Sequence, residues 1–140
     1  MVFAGGRAHD ATVSSIVHAA SVAGAWASAA AHLALIVFLV CGGALAVARP
    51  GLRRAHLACV VGTAAVFLAG ADCPFTVAEN RFRGAAGWAR YDTGFVAHYL
   101  VRPFTGHERI GTTLGIAIAL AWTIPTVVTY GPVGLRKRQR

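Results

Sequence analysis

The sequence predicts an all-α membrane protein with three transmembrane helices and short interfacial helices in a long second loop. Apolar residues make up 56 % of the 140 residues, charged residues only 13 %, and the mean hydropathy is +0.60. Three segments are nearly free of charge, and the arginines lie between these segments or after the last one. A soluble chain of this length could not bury so much apolar surface. We therefore expect one membrane domain over residues 1–140.

The first two predicted spans are residues 26–48 and 55–71. The first span carries no charge and reaches roughly 34 Å as a helix, enough for a hydrocarbon core of about 30 Å. An Arg-Pro-Gly sequence at 49–51 ends it, because proline and glycine break helices and arginine prefers the headgroup level. The second span is shorter, about 26 Å, and is closed by Asp-Cys-Pro at 72–74.

The predicted loop, residues 72–109, contains no window long enough to cross the bilayer. Thr76 and Glu79 have the spacing of a capping box, which predicts the start of a short amphipathic interfacial helix. Asp92 or Thr93 is expected to cap a second short helix that ends before Pro103. An alternative with four crossings has residues 91–104 dipping into the bilayer as a re-entrant helix.

The third predicted span is residues 110–130, which are uncharged and contain Pro125 as an expected kink. The basic tail, residues 131–140, is expected in the cytoplasm, attracted to anionic lipid. Three crossings then put residues 49–54 on the same side, with seven basic residues and no acid facing inwards. We expect the cytoplasmic (inner) membrane of a bacterium, with the N-terminus outside and the C-terminus in the cytoplasm.

The formal charge of +8 does not indicate a nucleic-acid partner. The basic residues neither cluster with stacking aromatic residues nor match a groove-reading motif, so the expected partner of the basic residues is the lipid bilayer. The three cysteines have neither the spacing of a disulfide framework nor that of a zinc knuckle.

A cluster of polar residues is predicted near the outer membrane surface. His32 lies 16 residues before the end of the first span and Asp72 lies 17 residues after the start of the second. Both therefore sit about 24 to 26 Å above the inner edge, a depth at which ionisable groups are often functional. The full set of candidate site residues is His32, Asp72, Cys73, Thr76, Glu79, Asn80, Tyr91, His98 and Tyr99.

Each main candidate also has a structural interpretation. His32 can simply bond a neighbouring helix, or it can ligate a metal or haem. His98 is the other candidate ligand, and it can instead be a loop histidine that faces water or lipid headgroups. Glu79 can act as a helix cap rather than as an acid or ligand. Cys73 can be a small residue at a helix end, or a nucleophilic or redox thiol. No cofactor is predicted, and haem or a metal remains the alternative.

Small residues recur every fourth position on two of the predicted spans and predict close helix packing. One stripe is formed by Gly111, Gly115 and Ala119, and the other by Gly24 and Ser28, continuing to His32. The stripes serve either contacts within the chain or docking against a membrane-protein partner.

Several local motifs stand out along the chain: Asp72-Cys73-Pro74-Phe75-Thr76, Glu79-Asn80, Tyr91, Gly94-Phe95, His98-Tyr99-Leu100, Gly42-Gly43 and His56-Leu57. With these motifs the chain resembles a bacterial membrane family catalogued as domain of unknown function 2784. The similarity covers roughly residues 32–130, with phenylalanine where leucine is more usual at position 75, and with the extension before residue 24 outside the pattern. The resemblance implies fold and topology and transfers no catalytic role.

Three functions are compatible with these features. The first is an accessory or scaffolding subunit that docks on a larger inner-membrane complex for envelope transport or respiration. The second is a membrane redox or metal- or haem-binding enzyme with an outward-facing His/Cys/Glu site. The third is a small-solute or lipid carrier in which Pro125 provides a hinge.

Overall fold

The computed structural model describes residues 4–49, 51–106 and 112–131, and the regular elements in these ranges are all helical. The elements are α1 (Ala4–Ala48), α2 (Leu52–Leu68), α3 (Pro74–Ala85), a π-helical turn (Ala97–Val101) that leads into α4 (Arg102–Thr105), and α5 (Thr112–Tyr130). The all-α prediction is confirmed for the described residues.

Helix α1 is much longer than the span predicted within it. Its 45 residues extend for about 68 Å, because residues 4–25 contain no proline and are rich in alanine, the best helix former. The stretch Thr12–Ala48 is long and apolar enough to cross a membrane by length and composition, and it is the one such helix among the described residues. The second and third spans remain predictions.

Glycines with positive φ end the next helices. Helix α2 stops at Leu68, earlier than predicted, because Gly70 adopts φ +61° and the amides of Gly70 and Ala71 bond back to the carbonyls of Phe67 and Val66. This is a Schellman motif, which satisfies the last carbonyls of a helix. Gly87, with φ +74°, ends α3 in the same way.

The second loop helix runs past the proline that was expected to stop it. Helical structure continues through Pro103 to Thr105 and ends at Gly106, whose φ is +73°. The preceding π turn, in which the Arg102 amide bonds the Ala97 carbonyl, widens the backbone where the proline ring would otherwise meet the carbonyl one turn earlier. The predicted end before Pro103 is therefore wrong.

Helix α1 is the centre of the structure, and α2, α3 and α5 each pack against it. Two consecutive glycines let two of these helices approach closely: a Cβ on Gly42 would collide with the His56 ring of α2, and one on Gly43 would lie 2.8 Å from Thr129 Oγ1 of α5. Helix α3 packs farther towards the N-terminus, where Gly24 makes room for the Phe82 ring. All three glycine contacts lie within the chain.

Candidate functional site

A buried carboxylate organises the first half of the site. Glu79 on α3 is fully buried, and it accepts hydrogen bonds from the Tyr91 hydroxyl at 2.8 Å and the Tyr99 hydroxyl at 2.6 Å. Arg83, one turn along the same helix, places its guanidinium 3.6 Å from a Glu79 oxygen. We name Glu79, Arg83, Tyr91 and Tyr99 the carboxylate group.

The capping box predicted from Thr76 and Glu79 is wrong. Helix α3 begins at Pro74, with Cys73 as its N-cap residue and no side-chain bond to the cap. Proline suits the first helical position because its missing N–H needs no partner there. The Glu79 carboxylate instead takes two tyrosine hydroxyls and a guanidinium, which are strong donors to a charged acceptor.

Asn80 fixes the returning chain against α3. Its side-chain amide donates to the Tyr91 carbonyl at 2.7 Å, and its oxygen accepts from the Tyr91 amide at 3.1 Å. Arg83 adds a bond from Nε to the Ala89 carbonyl at 2.8 Å and one from Nη1 to the Tyr99 hydroxyl at 3.3 Å. Because these bonds join α3 to residues 89–99, the side chains that meet Glu79 are held in place.

His98 belongs to an aromatic stack beside this group. Its ring lies parallel to that of Tyr91, with centroids 4.1 Å apart and an angle of 9°, and it meets Tyr99 edge-on at 4.8 Å. The stack orients both tyrosines, and it keeps His98 in a different set of contacts from His32.

A second set of contacts surrounds His32 on α1. Only 8 % of His32 is exposed, and the rings of Phe95 and Phe75 lie 4.4 and 5.9 Å from its imidazole. Its Nε2 is 3.6 Å from Cys73 Sγ, and its Nδ1 is 3.5 Å from Thr76 Oγ1. We name His32, Cys73 and Thr76 the thiol–imidazole group.

Burial gives both tyrosines of the carboxylate group a strong preference for the neutral phenol. Burial, reinforced by the hydrogen bond to Glu79, raises the pKa of Tyr99 to about 12, and the same two causes raise the pKa of Tyr91 further. Arg83 opposes these shifts in both cases. The tyrosines are therefore hydrogen-bond donors at physiological pH.

The structure places six of the nine predicted site residues in the two groups. Asn80 and His98 contact Tyr91 beside the carboxylate group, whereas Asp72 is exposed and contributes to neither group. Of the predicted packing residues, Ser28 is buried on α1. Gly111 lies outside the described residues, and for Gly115 and Ala119 only the helical backbone is described.

Within the described part of the chain, His, Cys, Asp and Glu form no group of three or more that could hold a metal ion. The two candidate ligands have different ring neighbours: Phe95 and Phe75 lie beside His32, and Tyr91 and Tyr99 lie beside His98.

Sequence reasoning missed a second buried polar cluster. His56 on α2 is fully buried; its Nε2 bonds the Leu39 carbonyl of α1 at 3.2 Å, and its Nδ1 lies 3.0 Å from the Tyr130 hydroxyl of α5. Because a carbonyl only accepts, Nε2 carries the proton, and in the neutral ring Nδ1 accepts from Tyr130. No local signal reveals this contact, since Tyr130 is 74 residues away from His56.

Arg83 was also missed, although its spacing of four residues from Glu79 on a helix predicts the ion pair.

A family model described as a protein of unknown function (DUF2784) matches residues 16–131. The chain belongs to the DUF2784 family. The match begins earlier than the similarity predicted from the motifs, and it includes both groups and the His56 cluster. Searches of curated proteins and of solved structures gave no match.

Proposed function

We propose that this DUF2784 chain is a non-catalytic accessory protein of a bacterial inner membrane, which crosses the bilayer three times and docks on a larger membrane complex. The observation that carries the proposal is the saturation of Glu79. Its two carboxylate oxygens are occupied by two tyrosine hydroxyls and a guanidinium from the same chain. A carboxylate held in this way ties segments together and has no accessible oxygen to offer a substrate or a metal ion.

The carboxylate group supports a scaffolding role because it fixes a long connection against the helical core. Residues 91–99 are joined to α3 by the bonds to Glu79 and Asn80, and α3 packs on α1. A loop ordered by buried polar contacts gives a partner a surface of defined shape, which lowers the entropy cost of binding.

Exposed apolar side chains support a membrane location and a membrane partner. On α2, Val61, Phe67 and Leu68 are 65, 80 and 89 % exposed, and Val127 and Val128 of α5 are also exposed. Large apolar side chains exposed in this number favour contact with lipid or with another protein. The basic residues at 49–54 and in the tail favour an orientation with these segments in the cytoplasm.

The docking proposal can be tested by photocrosslinking in intact cells. A photoreactive phenylalanine analogue at Phe67 should give one discrete crosslinked species that persists through purification in mild detergent. The same analogue at Arg54, exposed at the basic start of the same helix, is the matched control and should give none. Crosslinking to lipid alone at Phe67, together with a purified protein that is monomeric and carries no partner, would refute the proposal.

The topology is tested separately by labelling single cysteines with a membrane-impermeant reagent. A cysteine in the tail should be labelled only after the membrane is opened. Labelling of intact cells at the tail would overturn the proposed orientation, and release of the protein from membranes by alkaline carbonate would overturn the membrane location.

A further inference from the structure

The candidate nucleophile of the thiol–imidazole group is a partly exposed residue, whereas the Glu79 carboxylate is fully buried. Cys73 is partly exposed at the junction that precedes α3, whereas His32 beside it is buried. The Cys73 thiol lies 3.6 Å from His32 Nε2, within the range in which an S–H group donates to nitrogen. A thiol whose proton has an acceptor at this position can ionise in place.

The Thr76 hydroxyl is placed to serve the imidazole tautomer that such a reaction needs, since a hydroxyl can accept from an imidazole N–H. When Nδ1–H donates to Thr76 Oγ1, 3.5 Å away, the lone pair of Nε2 faces the thiol. The ring cannot turn freely, because Phe95 and Phe75 lie close to it. A nucleophile, a base and a third residue that orients the base form the arrangement found in enzymes with activated thiols.

We propose that Cys73 is a nucleophilic thiol, with His32 as its base, that forms a mixed disulfide with an external disulfide. The Cys73 proton moves to His32 Nε2, and the thiolate attacks one sulfur of the external disulfide. A new S–S bond to Cys73 forms, the original S–S bond breaks, and the second sulfur leaves as a thiolate that takes up the proton. One disulfide is consumed and one is formed, so no other oxidant is needed.

The disulfide must come from outside the chain. All three cysteines are free; Cys41 lies nine residues beyond His32 on α1, about 14 Å along the axis, and Cys59 lies in the middle of α2. Neither can reach Cys73, because bridged cysteines need Cα atoms within about 7 Å of each other. The proposal is independent of the docking function, since it concerns one side chain and its reactivity.

The test measures the reaction of Cys73 with 5,5′-dithiobis(2-nitrobenzoate), a soluble disulfide that releases a coloured thiolate. The parent protein carries Cys41→Ala and Cys59→Ala, so that Cys73 is the only thiol. In this background His32→Ala and the larger His32→Gln remove the base, and His18→Gln, at an exposed position on the same helix, is the matched control. Far-UV circular dichroism checks that each variant retains its helices.

We expect both His32 variants to react about tenfold more slowly than the parent at pH 7, since a free thiol is only a few per cent ionised there and a more ionised thiol is intrinsically less nucleophilic. His18→Gln should react like the parent. Added imidazole should restore the rate of His32→Ala by filling the space between the phenylalanine rings, whereas pyrazole, of similar shape but far less basic, should not. Equal rates in all variants, or a slow His32→Ala that imidazole and pyrazole restore equally or not at all, would overturn the proposal.

The source of the disulfide is distinguished in cells. Acid trapping followed by intact-mass measurement of the native chain should show an adduct that reductant removes and that Cys73→Ala abolishes. A mass increase of a few hundred daltons identifies a small thiol as the source, and a covalent species of protein size identifies a partner's cysteine. An unmodified Cys73 in oxidising medium would contradict the proposal.

Discussion

Replacing Glu79 with glutamine tests whether the carboxylate group stabilises the fold as its geometry implies. Glutamine keeps the size of the side chain and one carbonyl oxygen, but it removes the negative charge and puts an NH₂ group opposite a tyrosine hydroxyl. The hydroxyls of Tyr91 and Tyr99 both donate to Glu79, and Arg83 has its counter-ion there. One donor must therefore turn away or become an acceptor, and the guanidinium loses its charged partner.

The expected cost follows from the number of bonds affected. Hydrogen bonds to a charged group contribute about 1.5–3 kcal/mol each, and part of this contribution survives in the neutral amide. We expect Glu79→Gln to lower the free energy of unfolding by about 2–4 kcal/mol, and Tyr91→Phe by about 1–2 kcal/mol. The double variant should lose less than the sum of the two, because both changes remove the same bond.

The assay is reversible unfolding in mixed micelles of mild detergent and dodecyl sulfate, followed by tryptophan fluorescence, to which Trp88 near the Arg83 guanidinium contributes. Asp72→Asn is the matched control: it neutralises an exposed carboxylate outside both groups and should change stability by less than about 0.5 kcal/mol. A Glu79→Gln protein as stable as this control, or strict additivity with Tyr91→Phe, would refute the reasoning.

Two further predictions concern the tyrosines and the glycines. Ultraviolet titration should show Tyr99 ionising near pH 12 and Tyr91 later. Because these pKa values exceed that of an unfolded tyrosine, about 10, the contribution of the two tyrosines to stability should be fully present below pH 10 and should be lost as the pH rises towards 12. Ionisation of both at pH 10 in the folded protein would contradict this. Gly42→Ala should destabilise the fold by about 1–3 kcal/mol, because its Cβ would collide with the His56 ring. Gly62→Ala, with open space around the new methyl group, should be neutral or stabilising by about 1 kcal/mol; equal effects of the two changes on the unfolding midpoint would show that the Gly42 contact is unimportant.

The helical fold could be predicted because hydropathy and helix breakers act locally. Residues 26–48 lie within α1, and most of residues 55–71 lie within α2. The first half of α1 was not predicted, because a charge-free window shows only where a helix can enter lipid. The backbone remains helical wherever helix propensity allows. The end at Pro103 was mispredicted because a π turn can accommodate a proline that an α-helix would not.

The sequence indicates which candidate residues lie near one another, but not which of them pair. The depth argument brought His32 and Asp72 to one level; in the structure Asp72 is exposed, and its neighbour Cys73 is the residue that contacts His32. The partners of Glu79 were not predictable, since Tyr91 and Tyr99 lie 12 and 20 residues away and meet it only when the loop folds back. The Glu79 carboxylate does not form the predicted capping box, because two hydroxyls and a guanidinium stabilise a carboxylate better than one backbone amide does.

The polar residues of this chain fall into two kinds. Some are buried and hydrogen-bonded to another segment, and Cys73 is partly exposed beside His32. Apolar side chains pack about as well against lipid as against another helix, so apolar contacts alone set the register of a membrane bundle weakly. Buried polar groups that find partners on another segment set it strongly: His56 joins α1, α2 and α5 through Leu39 and Tyr130, and Glu79 joins α3 to the loop. Cys73 cannot have this role, since a thiol is a weak donor and acceptor and adds little to register. The proposed reactivity of Cys73 accounts for its position beside a buried imidazole, which packing alone does not require.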